Sequence, residues 1–283
     1  MKRVKEIIHY RCKGTMDYRW LGQGIVVAVL DTGISLHPEL AGRILQFKDF
    51  VNDRPDMYDD NGHGTHVCGV IGGKRIGIAP GARLIMLKVL DADGNGKVEH
   101  SMRGFRWILE NQEKYNIRIV NISMGMEPHS NETGEKYILS AVEMLWDMGI
   151  VVVAAAGNLG PAEGSITIPG ISGKIITVGS SDELYSGRGS LVQNVLKPDL
   201  VVPGSRIISC NARWREEKKL YIAKSGTSMS TPIVSGAVAD LLSKNPNMTN
   251  AQIKSLLKKS CVDLGMNVTR QGKGLLNLDK LLK

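Results

Sequence analysis

Several stretches of the chain carry unbroken apolar runs instead of alternating apolar and polar positions. Residues 25–30 read Ile-Val-Val-Ala-Val-Leu, and residues 150–156 read Ile-Val-Val-Val-Ala-Ala-Ala. Such runs predict strands covered on both faces of a parallel sheet. Further strands are predicted over 82–90, 117–125 and 175–179, with a short one between the prolines of 198–204 and a strand-like run at 220–223. Between them the period changes. Residues 99–114 place Met102, Phe105, Ile108 and Leu109 on one helical face, 135–148 form a second amphipathic helix, and Thr249 opens a capped helix running to about 260. A short helix is predicted near 2–9.

Two other helical segments differ in kind. Residues 63–73, apart from His63 and His66, and residues 233–239 consist of small and apolar residues, which allows close packing against neighbours. Strands alternating with helices from end to end predict an α/β fold: one domain with a mostly parallel central sheet and helices on both faces. We divide the chain into a short polar extension, 1–20, and the domain itself, 21–283. No repeat or low-complexity segment interrupts it.

Composition narrows the function without naming it. The 283 residues are 42% hydrophobic and 23% charged, enough for one large core. The net charge is +8, but the lysines and arginines are scattered and no basic, aromatic-interleaved motif accompanies them. That fits a basic surface, not a nucleic-acid site. Cys12, Cys68, Cys210 and Cys261 are far apart and lack zinc-ligand spacing. The first twenty residues hold no signal-peptide core, and no apolar run is long enough to span a membrane. The expectation is a cytoplasmic protein with reduced thiols.

Candidate chemistry lies at the ends of the predicted elements. Asp31 ends the 25–30 strand; alone, it reads equally well as a turn or cap aspartate. His63 begins the first small-residue helix, with His66 one turn on, and no third residue is patterned to complete a metal site. Ser228 lies where the 220–223 run gives way to the second small-residue helix. There, unpaired backbone N–H groups and the helix dipole favour developing negative charge. The four aspartates of 52–61 read as a solvated acidic loop. Asp91-Ala92-Asp93-Gly94-Asn95-Gly96 begins like a calcium loop but has Met102 where the closing glutamate belongs.

The order Asp31, His63, Ser228 is that of the subtilisin triad, and the surrounding sequence resembles the subtilisin-like serine proteases. The resemblance is carried by Val29-Leu30-Asp31-Thr32-Gly33-Ile34, His63-Gly64-Thr65-His66-Val67, Ala155-Ala156-Gly157-Asn158 and Gly226-Thr227-Ser228-Met229-Ser230-Thr231-Pro232. Lys197-Pro198-Asp199, Pro203-Gly204 and Gly272-Lys273-Gly274 also fit. It runs from about residue 22 to the C-terminus.

The resemblance implies a serine endopeptidase with Asp31, His63 and Ser228 as its triad and Asn158 at its oxyanion hole. Extended substrate would pair with Gly94, Asn95 and Gly96 on one side and Ser123, Met124 and Gly125 on the other. Ala155, Ala156 and Gly157 would wall the pocket for the P1 residue, the one whose carbonyl is attacked, with Thr167 near its base. Leu159 stands where some relatives carry an acid, so a medium-sized apolar P1 is expected.

Three departures modify the expectation. Asp31 lies so early that no large folding pro-domain is expected to precede it. Residues 69–78 carry Lys74 and Arg75 and no oxygen-rich side chains, so the usual calcium loop is expected to be absent; no cofactor is expected to be required, and calcium elsewhere stays open. Met126 replaces a frequent glycine and narrows the region beyond P1. The expected partner is a peptide or unfolded protein, with no nucleic acid or membrane, and the oligomeric state stays open. An inactive scaffold with the same fold, an acidic-partner binder and an esterase are the competing readings.

Overall fold

The computed structural model describes residues 1–10, 21–128, 130–192 and 194–283. Cys12 and the second half of the proposed polar extension lie outside them. The chain builds a nine-stranded sheet from β1 (Val26–Asp31), β2 (Ile44–Asp49), β3 (Arg83–Lys88), β4 (Ile117–Ile122), β5 (Val151–Ala155), β6 (Ile176–Ser180), β7 (Leu200–Val202), β10 (Cys261–Val262) and β11 (Leu275–Leu276). Its order is β10-β11-β7-β6-β5-β4-β1-β3-β2, and every pairing is parallel except β10 with β11. A separate antiparallel hairpin joins β8 (Ile207–Cys210) to β9 (Tyr221–Lys224).

The unbroken apolar runs are explained by a core on each side of the sheet. Val27 and Val29 of β1 and Val151 and Val153 of β5 face one core, while Ala28, Leu30, Val152 and Ala154 face the other. The first core is completed by α2 (His63–Gly72), α6 (Thr227–Lys244) and α7 (Asn250–Lys259); the second by α3 (Val98–Tyr115) and α4 (Glu132–Asp147). The amphipathic helices α3 and α4 keep one face in solvent, whereas α2 and α6 are buried almost throughout. Between β8 and β9 the chain makes one short turn of helix, α5 (Trp214–Glu217).

The strand order reverses around β1, which lies between β3 and β4 although β2 follows it in sequence. In open α/β sheets the carboxyl ends of strands beside such a reversal form the binding crevice. Asp31 ends β1, and the segments leading to Ser123 and Asn158 leave β4 and β5 at the same edge.

Two expectations change. The N-terminal segment does begin with a helix, α1 (Lys2–Ile7), but it is docked on the domain. Val4, Ile8 and Tyr10 are buried in the first core, Tyr10 Oη donates to Ile78 O at 2.6 Å, and Leu278 N–H donates to Ile8 O at 2.8 Å. Burying Val4 and Ile8 contributes roughly 1.5–3 kcal/mol each. The acidic loop is also not solvated throughout: Asp59 is buried, while Asp53 and Asp56 remain exposed. The edge strand β2 and strand β8 were not anticipated.

Two ionic features brace the sheet from outside the cleft. Arg75 binds buried Glu39 through Nε at 2.6 Å and through its backbone N–H at 2.7 Å, which fixes the short connection after α2. From α7, Lys254 Nζ donates to the carbonyl oxygens of Gly173, Lys174 and Ile175 at 2.7, 3.0 and 2.8 Å and lies 3.4 Å from Asp199.

No helix among the described residues is long and apolar enough to cross a membrane. The small residues of α2 have a steric reason. A Cβ at Gly69 would overlap Ser209 Oγ and Cys210 Sγ of β8, whereas one at Gly173 meets nothing within 4 Å. Gly69→Ala is therefore expected to destabilise the fold by roughly 1–3 kcal/mol and Gly173→Ala to stay within about 0.5 kcal/mol, as read by urea unfolding.

Candidate active site

The site is assembled where β1, α2 and α6 meet. Asp31 is fully buried at the end of β1, and its Oδ1 accepts the Thr32 N–H at 2.8 Å. The same oxygen lies 2.7 Å from His63 Nδ1 at the first position of α2. That bond assigns the proton to Nδ1 and leaves Nε2 as an acceptor. Burial of the ring disfavours the imidazolium, but the charge and hydrogen bond of Asp31 outweigh it, so the His63 pKa lies above the ordinary histidine value. Lys224, at the end of β9, opposes this rise by its positive charge, and Asp59 adds to it.

The amino end of α2 is held by Asp59. Its Oδ1 accepts from Gly62 N–H at 2.7 Å and Thr32 Oγ1 at 2.8 Å, and its Oδ2 from Thr65 N–H at 2.8 Å and Thr65 Oγ1 at 2.5 Å. Thr32 Oγ1 in turn accepts from Gly64 N–H at 2.9 Å. One buried carboxylate thus ties the turn after Asp31 to the helix that carries His63. Its acidic neighbour Asp60 binds buried Lys88 of β3, whose Nζ also donates to Thr32 O and Leu90 O at 2.6 and 2.8 Å. Sequence reasoning missed Asp59; its signal was an aspartate just ahead of a helix start.

His66 is placed differently from His63. Its Nε2 lies 2.9 Å from Ile207 O and 3.2 Å from Ile222 O, which pins the β8–β9 hairpin to α2. Burial lowers its pKa to about 3, so it remains neutral. The described residues contain no group of three or more His, Cys, Asp or Glu side chains arranged to hold a metal. In the turn after β3, Asp91 Oδ1 accepts the N–H groups of Asp93 and Asn95 at 3.0 and 2.9 Å.

Ser228 is the second residue of α6 and is partly buried. The N–H groups on either side of it are engaged: Thr227 N–H donates to Asn158 Oδ1 at 3.0 Å, and Met229 N–H to Gly226 O at 3.0 Å. The Ser228 N–H has no acceptor among the described residues. Asn158 Oδ1 also accepts from Thr227 Oγ1 at 3.1 Å, which orients the amide and leaves Nδ2 free beside Ser228. Two unengaged donors therefore flank the serine. Ser228 Oγ makes no hydrogen bond to His63, a contact often loose before substrate binds.

Most of the remaining predicted positions border two cavities, while Ser123 and Ala156 lie buried beneath them. Ser123 is buried and fixed from below: Ser235 Oγ of α6 donates to Asn121 Oδ1 at 2.8 Å, and Asn121 Nδ2 to Ser123 Oγ at 2.9 Å. Met124 and Gly125 continue from it toward solvent. Together with Gly94, Asn95, Gly96 and Met126 they border a cavity of about 290 Å3. A second cavity, about 200 Å3, is lined by Ala155, Gly157, Asn158, Thr167 and Ser228, and also by Glu127. Ala156 is buried behind it, its carbonyl accepting the Thr167 N–H at 3.0 Å. Glu127 was missed because nothing in its sequence neighbourhood ties it to Ser228, which lies a hundred residues away.

Comparison with known proteins gives the family. The sequence profile described as the subtilase family matches residues 22–275. Serine protease AprX of Bacillus subtilis (strain 168) is 39% identical over 269 residues, which cover 84% of this chain and 61% of AprX. Subtilisin Savinase of Lederbergia lenta is 38% identical over 263 residues, covering 91% of this chain and 90% of Savinase. Among solved structures, sphericase superposes with a TM-score of 0.82 at 30% identity over 97% of this chain and 96% of its own. A cold adapted subtilisin-like serine proteinase gives 0.76 at 32% identity over 90% of this chain and 89% of its own. By sequence along nearly its whole length, and by fold, the chain belongs to the subtilase family, the subtilisin-like serine proteases.

Proposed function

We propose that the chain is a serine endopeptidase in which Ser228 is the nucleophile, His63 the general base and then acid, Asp31 its orienter, and Asn158 an oxyanion donor. The observation that carries this reading is the pairing of the 2.7 Å Asp31–His63 bond with the free Ser228 N–H and Asn158 Nδ2 at the start of α6. Ser228 Oγ forms a bond to the scissile carbonyl carbon as its proton passes to His63 Nε2. The negative charge on the former carbonyl oxygen is met by the two donors. When the C–N bond breaks, the leaving amine takes the proton from His63, and water repeats the sequence to release the acyl group. Asp31 stabilises the transient imidazolium without itself taking the proton.

The substrate is a peptide or unfolded protein segment laid in extended form between 94–96 and 123–125, since backbone pairing of this kind is sequence-tolerant. We place the enzyme in the cytoplasm, in protein turnover or peptide maturation. This is supported by the free thiols of Cys68, Cys210 and Cys261, the first two buried, in keeping with a reducing compartment.

A serine-directed fluorophosphonate is expected to label Ser228, with denatured protein cleaved in parallel and both lost in Ser228→Ala, as read by mass spectrometry. Absence of labelling in folded protein would sink the proposal. Asn158→Ala is expected to lower kcat by about 100- to 1,000-fold with little change in KM, a magnitude carried over from subtilisin-type enzymes. An equal rise in KM instead would argue that Asn158 only binds substrate.

The pH profile gives a third test. His63 accepts a proton only when neutral, so kcat/KM rises as pH increases through its pKa, which lies above the ordinary value of about 6.5. Removing the opposing cation with Lys224→Met is expected to move this limb to higher pH. A shift to lower pH would contradict the assignment.

A further inference from the structure

Beside Ser228 lies the cavity of about 200 Å3. Thr167 forms its base between two glycines, Gly125 and Gly157; a Cβ on either would overlap the Thr167 side chain. Thr167 is only 5% exposed, and its Oγ1 has no hydrogen-bond partner among the described residues. A buried hydroxyl left unpaired is unfavourable, and a donor arriving with a ligand would relieve it. At the rim stands Glu127, the only ionisable side chain lining the cavity among the described residues. Its carboxylate has no ion-pair partner among the described residues. Its backbone is held separately, the carbonyl accepting from Ser130 N–H at 3.3 Å and Ser130 Oγ at 2.5 Å. The loop conformation therefore does not depend on the carboxylate.

We propose that Glu127 makes this cavity a subsite for a cationic P1 side chain, lysine or arginine. The inference rests on the peptidase reading and names its substrate class. Both features of the cavity ask for the same chemistry. The carboxylate can only accept and the hydroxyl can accept as well as donate, so lysine and arginine, which present only donors, can satisfy both. The stem of such a side chain packs against Met124, Ala155 and Leu159 while its charged end stays near solvent at the rim. An aspartate or glutamate at P1 meets repulsion and finds no cation on the lining among the described residues. The medium-sized apolar P1 expected from the sequence rested on Leu159 and on no charge being visible in the pocket; Glu127 supplies that charge. Because Glu127 is exposed, its contribution is that of a surface pair, a preference of up to about fivefold.

The test is kcat/KM on peptides identical except at P1, carrying Lys, Gln, Glu or Leu, for wild type, Glu127→Gln and Glu127→Lys. Values are taken as ratios to the Leu peptide within each protein, which removes differences in active fraction. Wild type is expected to prefer Lys over Gln about three- to fivefold at low ionic strength, with the preference shrinking as salt is added. The ratio falls to about one in Glu127→Gln, and Glu127→Lys prefers Glu over Gln by a similar few-fold factor. A Lys-to-Gln ratio that is the same in all three proteins, or no greater than one in wild type, overturns the proposal. If wild type cleaves none of the peptides and Ser228 is not labelled, the peptidase reading fails first and this inference falls with it.

Discussion

Two helices whose amino ends are buried need acceptors for their first N–H groups, and the site is built from how those needs are met. The first turn of a helix offers donors with no partner inside the helix. In α2 they are satisfied by Asp59 and Thr32, which fixes His63 against the end of β1. In α6 the first N–H is satisfied by Asn158. The next, at Ser228, is left unengaged. The same accounting that stabilises the fold thus determines where a donor remains for chemistry. It also makes Asn158 serve two ends at once: its oxygen anchors α6, and that anchoring presents its nitrogen to the cleft.

Charge around His63 is arranged in layers. Asp31 is closest and fully buried, where its interaction with the imidazole is least screened. Asp59 adds a second negative charge while being occupied by backbone donors. Lys224 works in the other direction from β9, so the hairpin contributes to the electrostatics of the site as well as to its walls. His66, one turn along the same helix, shows what happens without a carboxylate partner: burial, aided by the charges of Lys224 and His63, prevails over its hydrogen bonds to backbone carbonyls, and the ring is neutral.

Much of this was legible in the sequence, for identifiable reasons. The doubly covered strands β1 and β5 announce themselves because both faces are buried and the apolar run never breaks. Asp31, His63, Asn158 and Ser228 stand at the ends of such elements, inside long motifs. The edge strand β2 was missed because it is only half-covered, and its Gln46 and Lys48 interrupt the pattern. Strand β8 was missed because its partner follows only after the α5 excursion, so no tight turn marks the hairpin. Asp59 looked like one of four loop aspartates, and only the folded turn shows that it alone is enclosed by donors. Glu127 joins Ser228 through the crossing of β4 and α6 and through nothing local. The N-terminal segment was judged by its charges, while Val4 and Ile8, four residues apart on one helical face, were the informative pair.

The ammonium of Lys254, held by the carbonyls of Gly173, Lys174 and Ile175, has a thermodynamic implication. A free ion gathered by such carbonyls would stabilise the folded chain by mass action, so its contribution would follow its concentration in solution. A cation tethered to α7 is present at fixed stoichiometry whenever the helix is in place. The link between the segment before β6 and the helix packed over it therefore stays constant across changes in ionic composition. It depends on the integrity of α7 and on the ammonium keeping its proton, and it ties a helix to a loop 79 residues away in sequence.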